Sequence, residues 1–224
     1  MRFTASELWR TAYPGAMIGV LAINNTANPA HHPVLEARKT ELEERLRRQH
    51  GTASKSELRS HPTLQAYAAY YKSFDKTYHV QLQLESVVFK GKAIPSVASL
   101  VEAMFMAELE DLMLTAGHDL DALQGDPRVD VASGSEEYVM MNGQPQVLKP
   151  NDMFIHDDAG VLSSIIYGPA NRARITPETN RVLFTVYAPP GIGLDGVKVH
   201  LERLREYVQI IGPQAQVEYQ EVVR

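Results

Sequence analysis

The pattern of the chain changes once, near Asp126, and that change limits the folds open to it. Before it, apolar residues recur at three- and four-residue spacing, in segments punctuated by Pro and Gly. After it come short alternating runs broken by Gly, Asn and Asp. Helical periodicity followed by strand periodicity predicts an α+β architecture, helices first and an antiparallel sheet after them.

Individual segments carry their own signals. "ELWRTAYPGAMIGVLAINNT" has Pro14-Gly15 between two apolar runs, which predicts two strands joined by a turn. Pro33 at a first helical position and Gly51 past the end bracket a helix with mixed charges. A second helix follows Pro62, and its Tyr67, Tyr70, Tyr71 and Phe74 form a stripe that is either core or an interface. In "HVQLQLESVVFKGK" Val80, Leu82 and Leu84 alternate, whereas Val80, Leu84, Val87 and Val88 fit a helix face; Gly91 as a stop favours helix. "SVASLVEAMFMAELEDLML" is the strongest helix, with Ser96 as its cap and Leu100, Met104, Ala107 and Leu112 on one face. Asn142-Gly143 predicts a hairpin, and "HDDAG" a turn between "DMFI" and "VLSSIIY". "RVLFTVYAP" reads as a buried strand, "GLDGVKVHLERLREYVQII" as an amphipathic helix ending at Gly212-Pro213, and "AQVEYQEVV" as a closing strand. No repeat or linker interrupts the chain, so residues 1–224 are expected to form one domain. Within it, 1–77 is an elaboration of strands and helices, 78–189 the central module, and 190–224 the terminal helix and strand.

Composition removes several classes of function. The chain has 224 residues and no cysteine, which excludes disulfides, thiolate metal sites and cysteine nucleophiles. A net charge of −5 does not advertise a general nucleic-acid binder, so an anionic partner needs a local basic patch. The start has no apolar signal core and no run approaches a membrane span, so a cytoplasmic location is expected.

Two acidic clusters invite a metal reading: His118, Asp119 and Asp121, and His156, Asp157 and Asp158. Neither has the spacing of a known ligand set, neighbouring strand residues point to opposite faces, and Asp suits caps and turns; no metal and no cofactor is expected. A Ser-His-Asp triad lacks a G-x-S-x-G elbow, and "PPGIGLDG" lacks phosphate-loop spacing. The basic loop "GPANRARITPETNR" stands out more, because Arg172 and Arg174 there suit phosphate or carboxylate; solvated loop charges are the plainer alternative.

The order "KAIPSVASLVEAM", "GHDLDALQGDPRVDVAS", "PNDMFIHDDAGVLSSIIYG", "ITPETNRVLFTVYAP" resembles the B3/B4 module of the phenylalanyl-tRNA synthetase beta subunit. It looks most like free-standing proteins built around that module. The resemblance covers residues 78–189 best. It implies a β-sandwich-like core of unusual topology with flanking helices. In the synthetase the module binds the acylated 3′ end of tRNA and hydrolyses mischarged tyrosine. Carried over, it implies a pocket built from Ser96 and Ser99, from the Ala116–Asp119 stretch with Gly117, and from the Ile166–Asn171 turn with Tyr167 and Gly168. His118 is then the candidate general base, Asn171 the candidate contact to a substrate hydroxyl, and Arg172 and Arg174 the holders of RNA phosphates. Backbone N–H groups of the Tyr167–Asn171 turn are the candidate oxyanion holders. Ala116 stands where the synthetase pattern has histidine, and Asn171 or a neighbour where it has glutamate, which separates this chain from strict tyrosine editing.

The resemblance leaves three readings open: a trans-editing hydrolase, an RNA-binding module without chemistry, and a small-molecule or protein-binding domain that reuses the fold. No ATP motif is present, so an aminoacylating ligase is not expected. The tRNA end is the expected partner, and the oligomeric state is left open.

Overall fold

The structure, a computed structural model, describes residues 1–224. Its N-terminal segment departs from the two-strand pattern. Only Thr4–Ala5 is a strand (β1) before Pro14; Glu7–Ala12 is a helix (α1), and the second strand is Met17–Asn24 (β2). Ser6 overrides the strand pattern. Its hydroxyl caps α1 by accepting from Trp9 N at 3.0 Å and donates to Asp130 at 2.6 Å, while the Trp9 side chain is buried.

The helical block follows the sequence signals more closely. Pro33–His50 (α2) starts on its proline and ends at Gly51. Lys55–Arg59 (α3) is closed by a Ser54/Glu57 capping box. Pro62–Lys72 (α4) buries Tyr67, Tyr70 and Tyr71, so this part of the aromatic stripe is core. His79–Lys90 (α5) stops at Gly91, which takes the left-handed conformation with φ 65°.

The strongest predicted helix, Ser99–Asp111 (α6), starts later and ends earlier than its pattern suggested. Ser96 does not cap it: its hydroxyl binds Lys39 Nζ at 2.9 Å, and Ala98 is the N-cap. Tertiary contacts replace the missing side-chain cap. Asn28 accepts from Leu100 N at 2.9 Å, and the Ser99 backbone and hydroxyl both donate to Pro29 O. At the far end Leu112 adopts φ 62° and reverses the chain into Leu114–Asp119 (β3). The segment "GHDLD" is thus the end of a strand. It leads into a single 3₁₀ turn, Leu120–Ala122, capped by Asp119.

The remaining strands are Arg128–Val131 (β4), Glu137–Val139 (β5), Pro145–Val147 (β6), Met153–Asp157 (β7), Gly160–Ser164 (β8), Gly168–Pro169 (β9), Val182–Ala188 (β10) and Gln216–Val223 (β11), with Leu194–Ile211 (α7) before the last. One sheet runs β11-β2-β10-β3, antiparallel throughout. The other runs β1-β4-β7-β8-β9 and is antiparallel apart from the β1–β4 pair; β5 and β6 form a separate hairpin. Every residue of β10 is buried, which explains its unbroken apolar run. The fold is α+β; the main apolar cluster runs from Phe3 to Val223 and joins helices to both larger sheets, and a smaller one gathers around Tyr138 and Phe154.

A buried ion pair pins α2 against α6. Lys39 Nζ lies 2.8 Å from Glu102 Oε2, both side chains being almost fully buried. The other oxygen of Glu102 accepts from Val97 N at 2.8 Å, which fixes the approach to α6. Replacing Lys39 by Met leaves Glu102 buried and unpaired. Chemical denaturation is expected to show a loss of about 3–5 kcal/mol, much of it recovered in Lys39→Met/Glu102→Leu. Equal stability of the single and double variants would show that the pair contributes nothing.

Candidate functional site

Where the reversal at Leu112 brings α6 beside β3, a cavity of about 250 Å³ remains. Met104 and Phe105 of α6, Leu114 to Gly117 of β3, and Ile165 and Ile175 from the two loops give it mostly apolar walls. Gly117 keeps the space open. A Cβ there would sit 2.7 Å from Ile175 Cδ1 and 3.4 Å from Met104 Sδ. Other concavities are less suited to chemistry: the groove of about 410 Å³ between α2 and α7 is lined by Arg and Glu that pair with one another.

Beside the Arg174 cation and the Tyr187 hydroxyl, a glutamate and a histidine reach this apolar space, and both are neutral at neutral pH. Glu108 is 2% exposed; one carboxyl oxygen accepts from Thr115 N at 2.8 Å, and no protein group bonds the other. Burial raises its pKa to about 8, with the Thr115 amide opposing. His79, at the start of α5, is surface-exposed with part of its ring on this space, and partial desolvation lowers its pKa. Its Nδ1 lies 3.2 Å from the Tyr71 hydroxyl, which itself donates to Ile165 O at 2.7 Å.

The loop that closes the cavity is set by a second buried acid. Asp152 accepts from Tyr70 Oη at 2.8 Å and from Ser164 Oγ. Ser164 in turn accepts from the backbone N–H of Ile166 and Tyr167. Burial lifts Asp152 to about 6 despite these bonds. The Tyr167 N–H is therefore engaged, as is that of Ala170, which donates to Leu162 O.

The sequence-selected residues divide. Gly117, Gly168 and Arg174 line the cavity. His118 does not. Its ring is 0% exposed, its Nε2 lies 3.3 Å from Ser163 Oγ of the other sheet, and its Nδ1 has no partner. Burial, with Arg172 nearby, lowers its pKa to about 4, so it is a neutral core ring. Ser96 and Ser99 are used in the bonds that place α6 and do not line the cavity. Tyr167 lies under Lys76, with Nζ 5.4 Å from the ring centroid. Asn171 turns its side-chain oxygen to Arg174 at 3.2 Å. Arg172 is committed elsewhere: its guanidinium grips the fully buried Asp157 carboxylate with two nitrogens and also donates to Val161 O and Gly160 O. Asp119 accepts from Asp121 N and Thr179 Oγ1, and Asp121 pairs with Arg181, so this acidic cluster braces a turn. No three His, Asp or Glu side chains converge as a metal-holding group. Sequence reasoning missed Glu108 and His79. An acid on the inner face of the strongest apolar helix was the available signal for Glu108; the ring of His79 has none in the sequence.

A family model described as the B3/4 domain matches residues 63–202, more than half of the chain. The chain belongs to the B3/4 domain family. An N-terminal fragment of the phenylalanyl-tRNA synthetase beta-subunit from Pyrococcus horikoshii has a similar fold, with a TM-score of 0.50 at 10% identity. That likeness covers 100% of this chain and 55% of the other, so this B3/4 protein spans little more than half of the longer fragment. No curated protein matches the sequence. No helix is long and apolar enough to cross a membrane.

The buried acid has a measurable signature. Glu108 keeps its proton to about pH 8 in the folded chain, against 4.5 for an ordinary glutamate. Its contribution is thus fully present below about pH 4.5 and is lost as pH rises toward about 8. Denaturation at pH 5 and pH 8 is expected to show a fall in stability on the order of a few kcal/mol in the wild type. Glu108→Gln flattens that fall; an unchanged slope in the variant would mean that Glu108 is ionised when folded. Arg172→Ala, which strands the buried Asp157, is expected to cost about 3–5 kcal/mol in the same assay. A loss under about 1 kcal/mol would return Arg172 to the pool of ligand-binding cations.

Proposed function

We propose that this B3/4 protein binds the aminoacylated 3′ end of tRNA, holds the aminoacyl side chain in the Glu108 cavity, and hydrolyses mischarged esters in trans. One observation carries the reading. The cavity is built from α6, the β3 stretch before Asp119 and the turn after β8. The β3 stretch and the turn after β8 are regions from which the sequence resemblance assembles an aminoacyl pocket; α6 contributes its inner face, with Met104, Phe105 and Glu108, in place of Ser96 and Ser99.

The chemistry needs no protein nucleophile. A water attacks the ester carbonyl, and the vicinal hydroxyl of the terminal ribose helps to position it. The cavity supplies an apolar seat for the side chain, with one neutral carboxyl able to donate or accept a hydrogen bond. A polar group matched there favours its ligand strongly, since leaving it unpaired in a dry site is costly.

The charge layout points to a small footprint. Most surface arginines are paired with carboxylates, as Arg45 with Glu110, Arg181 with Glu218 and Arg205 with Glu202. On the cavity wall Arg174 bonds only Asn171, and Lys76, over the Tyr167 ring, has no carboxylate partner. With a net charge of −5, this suits recognition of a terminus better than of a long RNA surface.

Purified protein is assayed with a panel of aminoacyl-tRNAs. Selective deacylation is expected, falling at least about tenfold in Gly117→Val, whose side chain occupies the cavity. Binding to uncharged tRNA over a salt series is expected to give a shallow slope, corresponding to about two or three phosphate contacts. Hydrolysis no faster than buffer for every aminoacyl-tRNA would remove the hydrolase and leave a binding module. Absence of tRNA binding at low salt as well would remove both.

A further inference from the structure

We propose that His79 is the general base of the cavity, with its Nε2 accepting the proton of the attacking water. The inference rests on the hydrolase reading and names the group that reading lacks.

A hydrogen-bond chain sets the state of the ring. The Tyr71 hydroxyl has one proton, and it donates it to Ile165 O at 2.7 Å. Toward His79 the same oxygen can only accept. The His79 nitrogen 3.2 Å away, Nδ1, must therefore carry the ring proton. This fixes the tautomer and leaves a lone pair on Nε2. The only side-chain bond of the ring is at Nδ1, and His79 is an exposed residue that water can reach. The ring lines both the aminoacyl cavity and the adjoining groove under Phe105. A base oriented through its other nitrogen by a second side chain is the arrangement that general-base catalysis uses.

The alternatives on the cavity wall are unsuited. Glu108 holds its proton at neutral pH, Ser164 is bonded to Asp152, and Arg174 is a permanent cation. His118 lies outside the wall. The groups around His79 are Tyr71 from α4, the Tyr78 ring beside it at 5.8 Å, Glu108 from α6, Arg174 on the cavity wall and Lys92 in the adjoining groove. None is a carboxylate at neutral pH, so the imidazole stays unprotonated and available.

The step balances. Nε2 takes one proton from water as the water oxygen bonds to the ester carbonyl carbon. Collapse of the tetrahedral intermediate breaks the bond to the ribose oxygen, which takes that proton back from Nε2. The amino acid leaves as its carboxylic acid and ionises in solvent.

The test has an activity arm and a structural arm. In the wild type, kcat/KM for deacylation is expected to be flat near neutral pH and to fall with acid below pH 6.5. His79→Ala loses about 10²–10⁴-fold and regains part of it with added imidazole. The same variant binds a non-hydrolysable aminoacyl-adenosine amide as the wild type does. Imidazole ¹⁵N shifts are expected to report the Nδ1–H tautomer at pH 7, whether or not a substrate is known. A wild type that hydrolyses esters while His79→Ala retains its rate within about threefold overturns this inference alone. An Nε2–H tautomer also overturns it. A wild type that hydrolyses nothing overturns it together with the hydrolase reading.

Discussion

One hydrogen bond organises the site: the buried Glu108 carboxyl receiving the amide of Thr115. It closes the tight reversal between α6 and β3, at whose centre Leu112 is held in a left-handed conformation. Such a conformation costs a non-glycine residue about 1 kcal/mol or more and persists only where its surroundings enforce it. Tyr67 completes the enforcement. Its hydroxyl accepts from Leu114 N and donates to Tyr187 O of the neighbouring strand, while Tyr78 donates to Leu112 O. The tyrosines of α4 and its flank thus act as posts between the helical block and the sheet. The cavity is what remains where two elements are held close at one end.

Polar groups inside this core are arranged so that few ions survive. Glu108 retains a proton, His118 is held neutral, and Asp152 shares its charge among Tyr70, Ser164 and the turn amides behind them. Against the mostly apolar walls of the cavity, charge developing on a guest is felt more strongly than in bulk water. Ion pairs do persist away from the cavity, as Lys39–Glu102 and Arg172–Asp157, and they fasten one element to another.

How much of this was legible depended on the range of the interaction. Local signals survived: Pro33, Pro62, Gly91, the hairpin at Asn142-Gly143 and the turn in "HDDAG" all mark real boundaries. The strand misread before Pro14 failed because Ser6 and Trp9 answer to Asp130 and the core, partners far along the chain. Ser96 failed as a cap for the same reason, since Lys39 claims its hydroxyl. At the site, the stretch around Gly117 was found because the order of motifs resembled a known module. The side chains within it were not. Whether His118 or His79 reaches the cavity is decided by which way β3 and α5 turn their faces, and Arg172 is diverted by an aspartate that looked like a turn residue. Sequence order located the walls; only the packing located the chemistry.

The cavity also lies beside two open sheet edges. β3 ends the four-stranded sheet and β9 ends the five-stranded one, and no ladder joins them although both border the same space. A guest seated there would touch both margins and act as a removable rung between halves of the molecule that are otherwise stitched together by side chains. Occupancy would then be linked to the cooperativity of unfolding, with the sheets melting as one unit when the slot is filled and more independently when it is empty.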